Sequence, residues 1–312
     1  MASAQNLKRR IKSVTNIGTI TKAMELVAAT KMRRSQELAI ASRPYSYAAL
    51  ELMGILAGLK DVPMPEIFAP REIKKTVFVI LISDKGLAGA FNSAVIRRFE
   101  AYIRERGIDV QSDRYAFVAI GQKARAYLER RKLRVLAQFT RVGDYTRVEE
   151  VMPIVNFLTQ GYLRHDFDEA TIFFTKFESA LRQDAVVRDL FPVTYDVIKH
   201  SVEATIPKTG RYSNYTISES FFEKKDRDYI IEPSPADVLT ELAPKLLETR
   251  LYHIVLEANA SEHSARRLAM KNASENANEL SGNLNLEYNK SRQAAVTNAI
   301  IEVTSGATTA GV

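Results

Sequence analysis

A glycine-containing loop is the first segment of this sequence that could carry chemistry. The stretch SDKGLAGAFN, residues 83–92, follows an apolar run and precedes a helical pattern, which is where nucleotide-binding turns lie. Its glycines, Gly86 and Gly89, fit neither the G-x-x-x-x-G-K-[ST] nor the G-x-G-x-x-G spacing. The pattern therefore favours a tight turn between a strand and a helix over a phosphate site.

The other residue types that support catalysis are scattered or absent in this sequence. The four histidines, His165, His200, His253 and His263, do not stand at metal-ligand spacing with one another or with a carboxylate cluster. The sequence holds no G-x-S-x-G elbow, no convincing carboxylate pair and no cysteine. We therefore predict no catalytic residue, no metal site and no cofactor.

The excess positive charge of the chain lies in its first helical segment. Residues 1–43 hold nine basic and two acidic side chains, an excess of +7 that equals the net charge of the whole 312-residue chain. Such a segment indicates an acidic partner surface, which could be nucleic acid, lipid headgroups or an acidic protein, although a solvated charged face is the plainer alternative. Nucleic acid is disfavoured because the segment has no aromatic residue on which a base could stack.

The elements that position these residues begin with a long amino-terminal helix, predicted over residues 1–59. Its second half has apolar residues at coiled-coil spacing: Leu38, Ala41, Tyr45, Ala48, Leu52, Ile55 and Leu59. Its first half does not repeat cleanly, because small residues such as Gly18, Thr21 and Ala28 stand where larger ones are expected. These small side chains could simply permit close packing of the helices, and the sharper interpretation is that they give a smooth surface that slides past an acidic partner.

The middle of the chain predicts a parallel sheet covered by helices. After a proline-rich linker at residues 60–72, a domain at residues 73–205 alternates strands with helices, and residues 206–233 connect it to the last segment. The predicted strands cover residues 76–82, 115–120, 133–139 and 170–177. The predicted helices cover residues 93–106, 122–131 and 148–163.

A second long helix is predicted at residues 234–305. Its start carries a capping box, with Ser234 as N-cap, Pro235 at the first helical position and Asp237 three residues after the cap. Two terminal helices of this length bury their apolar seams most economically as an antiparallel coiled coil. The longest apolar run of the whole chain, residues 77–82, is far below the roughly 20 residues that cross a bilayer, so we predict no membrane span.

Five blocks of the sequence resemble the gamma subunit of the rotary F-type ATP synthase. In chain order they are KAMELVAATKMRRSQ, ASRPY, SDKGLAGAFN, EHSARRLAMKNASENA and YNKSRQAAVTNAIIEVTSGA. The likeness covers both terminal helices together with the first strand and turn of the middle domain.

The resemblance implies an α/β fold in which a long antiparallel coiled coil of the terminal helices joins a central Rossmann-like domain with a small, mostly parallel sheet. It implies a central-stalk rotor, turned by proton flow through the membrane ring of c subunits, that drives ATP synthesis in the ring of alpha and beta subunits. The implied partners are the alpha, beta, epsilon and c subunits, and the implied place is the cytoplasmic face of the bacterial inner membrane, as a peripheral subunit without bond chemistry of its own.

The resemblance also implies contact residues. Positions that match the family's contacts with the catalytic ring are Lys22, Met24, Arg33, Arg34, Arg266, Gln293 and Thr297. Tyr229 and Glu232, in the stretch DYIIEP, match the turn that touches the c ring. The alternative that stays open at this point is a basic helical protein with an α/β domain that binds nucleic acid.

Overall fold

The structure, a computed structural model, describes residues 4–42, 44, 48, 65–68, 71–142, 147–192 and 231–310. The chain divides into two units that are described separately below. Residues 1–28 and 266–312 form the terminal-helix unit, and residues 29–265 form the central unit. The domain boundaries predicted from the sequence, at residues 59, 72, 205 and 233, stay predictions.

Both predicted terminal helices are present, and the second ends at residue 310 and not at the predicted residue 305. Helix α1 covers Ala4–Ala41, and its predicted continuation to residue 59 lies outside the described residues apart from two isolated positions. Helix α5 covers Pro235–Ala310 and continues through Pro244 and Gly282. The predicted cap at its start is confirmed, because the Asp237 amide donates to the Ser234 hydroxyl at 3.2 Å and that hydroxyl donates to the Asp237 carboxylate at 2.6 Å.

The central unit contains a five-stranded sheet with strand order β3-β2-β1-β4-β5. The strands are β1 (Thr76–Leu81), β2 (Tyr115–Ile120), β3 (Val135–Phe139), β4 (Glu169–Phe177) and β5 (Gln183–Phe191). Strands β1 to β4 pair in parallel, which confirms the mostly parallel sheet, and β5 pairs antiparallel to β4. Strand β5 was not predicted from the sequence, because charged residues interrupt the alternation of apolar and polar side chains in this half-buried edge strand.

Helices cover both faces of this sheet. They are α2 (Phe91–Glu105), α3 (Gln122–Arg130) and α4 (Met152–Leu163), with 3-10 turns at Glu66–Phe68 and Val148–Glu150. Side chains of β1 alternate between the faces: Phe78 and Ile80 pack with α2 and α3, while Val77 and Val79 pack with α4 and the part of α5 that belongs to this unit. Each face of the sheet is therefore a closed apolar core.

Candidate functional site

The two terminal helices lie against each other in the terminal-helix unit and run antiparallel. The hydroxyls of Thr15 and Ser281 are 3.3 Å apart, and the Ser274 hydroxyl donates to the Gly18 carbonyl at 3.4 Å. As the position on α1 rises, the contacted position on α5 falls, which is the order of an antiparallel pair. The antiparallel pairing predicted from the sequence is confirmed for these residues.

The seam of this helix pair mixes large apolar residues with small and polar ones. The buried and half-buried positions follow coiled-coil spacing on both helices: Leu7, Ile11, Val14, Gly18, Thr21, Glu25 and Ala28 on α1, and Met270, Ser274, Ala277, Ser281, Leu284, Tyr288 and Ser291 on α5. The interpretation that the first half of α1 lacks this repeat was wrong, because the repeat is present, with apolar residues up to Val14 and small or polar residues from Gly18 onward. A Cβ placed on Gly18 would lie 3.4 Å from the Ala277 Cβ, so the two backbones approach closely here.

A polar groove of about 420 Å³ runs beside the close contact. Its lining side chains are hydroxyls, an amide and two oppositely charged pairs, namely Thr15, Thr19, Ser274, Asn278, Lys22, Glu25, Lys271 and Glu275. The exposed Lys22 ammonium lies 2.9 Å from the buried carboxylate of Glu25. The Lys271 ammonium lies 3.8 Å from the Glu275 carboxylate one turn along α5. The two pairs cancel in formal charge, so the charged side chains that line the groove carry no net charge.

The outer face of the same helices carries large apolar side chains. Those of Ile17, Ile20, Leu26 and Val27 on α1 are all more than half exposed, as are those of Leu286, Val296, Ile300 and Ile301 on α5. The expectation that small residues form the outer surface was therefore wrong for Gly18, Thr21 and Ala28, which lie in the seam. Exposed apolar side chains, where they form a contiguous patch, are typical of surfaces that other chains cover.

The positions that match the family's ring contacts lie in both units. In the terminal-helix unit Lys22, Gln293 and Thr297 are exposed, while Met24 and Arg266 are half-buried. The Thr297 hydroxyl donates to the Gln293 carbonyl at 2.9 Å, one turn earlier on α5. The side chain of Gln293 is exposed, so its amide faces solvent in the chain alone.

Two further ring-contact positions, Arg33 and Arg34, belong to the central unit and are exposed on α1. Of the two positions predicted to touch the c ring, Glu232 is exposed immediately before the cap of α5. Tyr229 lies outside the described residues. The structure thus places most of these residues at surfaces where a partner chain could reach them.

The loop that invited a nucleotide interpretation is closed by hydrogen bonds of its own. The side-chain oxygen of Asn92 accepts from the Ser83 amide at 3.0 Å, and the Ser83 hydroxyl donates to the Lys85 carbonyl at 2.6 Å. The Asp84 carboxylate accepts from the Gln122 amide at 2.9 Å and from the Arg141 amide at 2.8 Å. Gln122 is the first residue of α3, so the Asp84 carboxylate lies at the amino terminus of α3 and not at that of α2, the helix that the loop precedes. The tight-turn interpretation agrees with this geometry.

Arg71, which lies five residues before β1, was not predicted from the sequence as a contact residue. Its guanidinium donates to the Tyr162 carbonyl at 2.9 Å, lies 2.9 Å from the Asp168 carboxylate and stacks 4.0 Å above the centre of the Tyr162 ring. Burial raises the pKa of Asp168, but amide donation from Lys75 and Lys74 and the charge of Arg71 outweigh it, so the pKa lies below its ordinary value. A single arginine in a proline-rich stretch gives no sequence signal for such a cluster.

Helix α5 is buried on all sides over residues 250–261 of the central unit. Arg250 is 6% exposed there and donates to the Asp189 carbonyl of β5. Its Nε and a second guanidinium nitrogen are buried without a hydrogen-bond partner. Burial and the nearby Arg188 lower the pKa of Arg250 to about 9, against a smaller opposing effect of Asp189. A buried guanidinium with so few acceptors costs stability, so its retention calls for a reason.

The described residues contain no cluster of three histidine, cysteine, aspartate or glutamate side chains suited to a metal ion. Within the same part of the chain, no helix combines the length and the apolar character needed to cross a membrane.

The fold and the exposed faces define a class of protein. In this class an α/β domain is inserted between two terminal helices, and the helices pair with each other and present apolar and basic side chains at their surface. A family model described as ATP synthase matches residues 3–309. The ATP synthase gamma chain of Moorella thermoacetica is 38% identical over 308 residues, covering 98% of this chain and 99% of the relative. That of Geotalea daltonii is 36% identical over 307 residues, covering 98% of each. The chain belongs to the ATP synthase gamma chain family.

Solved structures share the fold. A chain of the Euglena gracilis mitochondrial ATP synthase, from the OSCP/F1/c-ring structure in rotational state 3, matches with a TM-score of 0.63 at 15% identity, covering 98% of this chain and 94% of that chain. A chain of the Tetrahymena thermophila mitochondrial ATP synthase central stalk and c-ring matches with a TM-score of 0.55 at 21% identity, covering 82% and 99%. The alternative of a nucleic-acid-binding protein finds no support in these comparisons.

Proposed function

We propose that this chain is the central-stalk rotor of an F-type ATP synthase and couples proton flow through the c ring to ATP synthesis in the ring of alpha and beta subunits. Its membership of the gamma chain family over almost its whole length carries the proposal. The chain transmits torque and makes or breaks no bond itself. Its partners are the alpha, beta, epsilon and c subunits, and it works as a peripheral subunit at the cytoplasmic face of the bacterial inner membrane.

The chemistry of the outer face suits a rotating contact. Apolar contacts have no preferred direction. The contact energy of a surface bearing Ile17, Ile20 and Val27 therefore changes little as it turns inside the ring of alpha and beta subunits. Hydrogen bonds and ion pairs resist turning because their energy depends on distance and angle. The described hydrogen bonds between the two helices lie in their seam, where they hold one helix to the other.

Charged and polar side chains on the shaft supply contacts that differ between orientations. Lys22, Arg33 and Arg34 are exposed cations, and acidic loops of the ring would be drawn to them as the shaft turns. Met24, Arg266, Gln293 and Thr297 complete the proposed ring contacts, while Tyr229 and Glu232 are the proposed contacts with the c ring. Because the proposed contacts with the catalytic ring are spread along both terminal helices, we expect each catalytic site to meet a different face of the shaft.

The test is to reconstitute this chain with alpha and beta subunits and to follow ATP-driven rotation of a bead attached to the central unit. We expect rotation in one direction, with torque reduced when Arg33→Gln and Arg34→Gln are combined. A matched control removes the same charge from the exposed Arg130 and Lys132 of the central unit. Failure of the wild-type complex to rotate would overturn the proposal, and equal torque in both double variants would remove the two arginines from the contact set.

A further inference from the structure

The β4–β5 hairpin of the central unit lies along helix α5 and is joined to it by directional hydrogen bonds. The Ser261 hydroxyl donates to the Thr175 carbonyl at 3.2 Å, and the Ser264 hydroxyl donates to the Ala180 carbonyl at 2.6 Å. The Arg250 guanidinium donates to the Asp189 carbonyl. All three acceptors are main-chain oxygens of β4, β5 or the turn between them. We call Arg250, Ser261 and Ser264 the hairpin clamp.

The clamp extends over a long stretch of the helix. Its donors span residues 250–264, which is roughly 21 Å of helix axis at ~1.5 Å per residue. Its acceptors follow the hairpin in the same order, since Asp189 lies opposite Thr171, Thr175 lies further along β4, and Ala180 lies in the turn. The hairpin is therefore attached at three separate points over about four helical turns.

The donors of the clamp are buried. Ser261 is 0% exposed, Ser264 2% and Arg250 6%, and the bond from Ser261 to the Thr175 carbonyl is buried at both ends. The acceptor residues Ala180 and Asp189 are exposed. Breaking a clamp bond therefore leaves a buried donor unpaired. The Gln183 amide also donates to the Ser264 hydroxyl at 3.4 Å, so this serine joins the hairpin to the helix in two ways.

Apolar side chains make a further part of the contact between α5 and the sheet. Leu247, Leu251 and Ile254 pack in one core with Val79 and Ile172. Such close-packed contacts resist separation, because apolar surface would be exposed to water, and they resist repacking. Groups with fixed donor and acceptor geometry add an angular restraint between helix and sheet.

Arg250 gives independent support, because it is a poor choice for stability alone. Two of its guanidinium nitrogens are buried without acceptors, and replacing a buried charge by an apolar side chain of similar volume is often neutral or stabilising. A long side chain that reaches from the helix to a strand carbonyl does, however, restrain the angle between the two elements. Arg250 thus contributes to the orientation of α5 relative to β5 and not to the stability of the fold.

We propose that the hairpin clamp is the contact through which torque passes between the α/β domain and helix α5. This inference rests on the proposed rotor function and adds the residues that carry the load. Arg250, Ser261 and Ser264 act as positioning residues that keep the domain and the helix turning together. Without them the domain twists on the helix before torque is delivered, and part of each rotation is lost.

The test uses the assembled complex with a Ser261→Ala, Ser264→Ala double variant and a bead on the central unit. With nucleotide absent, the angular variance of the bead reports torsional compliance, and we expect it to rise at least about twofold when two of the three directional contacts are lost. The number of protons pumped per ATP hydrolysed should fall. ATP hydrolysis by the chain assembled with the alpha and beta subunits alone, without the c ring, should be unchanged. Thr249→Ala is the matched control, since that hydroxyl bonds only to the Lys245 carbonyl of its own helix among the hydrogen bonds described.

A second variant separates torque from folding. Arg250→Met should leave the thermal unfolding temperature unchanged or raised, yet increase the angular variance as the serine variant does. If both variants have the angular variance of the wild type, the proposal is overturned. It is also overturned if the angular variance rises only in variants whose unfolding temperature falls, because that result indicates a general loss of packing. Rotation of the wild-type complex is scored first, so a failure of the rotor proposal is recognised separately.

Discussion

The Ser274 hydroxyl of α5 donates to the Gly18 carbonyl of α1 at 3.4 Å, in the buried seam between the terminal helices. A side chain larger than a methyl group at residue 18 would hold the two backbones apart. The same carbonyl accepts from the Thr21 hydroxyl at 3.0 Å within α1. Gly18 is thus one of the points where the two helices of the shaft are joined, together with the Thr15 and Ser281 hydroxyls.

We predict that the seam tolerates one methyl group at position 18 and no more. Gly18→Ala places its Cβ 3.4 Å from the Ala277 Cβ, an ordinary contact, and gains up to about 1 kcal/mol of helix propensity. Gly18→Leu forces the helices apart and should lower the free energy of unfolding by roughly 2 kcal/mol. Urea denaturation followed by circular dichroism measures both. Equal stability of the two variants would contradict the close seam.

Asp168→Asn should lower the free energy of unfolding by about 3 kcal/mol at neutral pH, since it removes a carboxylate bound by two amides and Arg71. The pKa of Asp168 is lowered on folding, so its contribution is complete above the ordinary value of 3.8 and is lost as pH falls through the lower folded value. The difference between wild type and variant should therefore shrink below about pH 4. Urea denaturation across this range checks the slope, with Asp166→Asn, an exposed neighbour, as control.

Gly121→Ala should destabilise the central unit by roughly 3 kcal/mol or more. Gly121 has φ = +100°, and a Cβ there would lie 1.9 Å from the Ile82 carbonyl oxygen, so an alanine strains the backbone and displaces the end of β1. Gly86→Ala is the control, since nothing lies within 4 Å of its added Cβ. Thermal unfolding of the two variants distinguishes the positions, and similar melting temperatures would refute the close approach.

Ile300→Ser combined with Ile301→Ser should weaken binding of the chain to the alpha and beta ring without reducing the stability of the chain alone. Both side chains are more than half exposed in the described chain, so their replacement removes little buried area until a partner covers them. Loss of two large apolar contacts should reduce affinity at least about tenfold. Titration of labelled chain into the ring measures it, and unchanged affinity would place these residues outside the interface.

Elements with a strong local signal were predictable from the sequence. The cap formed by Ser234 and Asp237 set the start of α5 correctly, because capping depends on residues within one turn of each other. Strands β1 and β2 were predicted within one residue at each end, since their buried apolar runs have clear limits. Strand β5 was missed because Asp184, Arg188 and Asp189 break its pattern at the sheet edge.

The proposed site was predictable only in part, for a related reason. The resemblance carried by the motif blocks named Lys22 and Arg33, but it said nothing of the hairpin clamp. Ser261 and Ser264 are unremarkable helical serines in the sequence, and their acceptors lie more than eighty residues away. Such pairings depend on how α5 passes the sheet, which no local pattern records.

The sequence by itself determined the family, the two terminal helices and the mostly parallel sheet, because motif order, capping and apolar periodicity are local properties of the chain. Tertiary structure alone decided which side of each helix is covered. The sequence left open whether Gly18 and Thr21 form an outer surface or permit close packing, and they lie in the seam, because two closely packed helices need small side chains between them. Leu7 and Leu284 are buried in the same seam, while Ile17 and Val27 stay exposed in the chain alone, because each helix presents only one side to its partner.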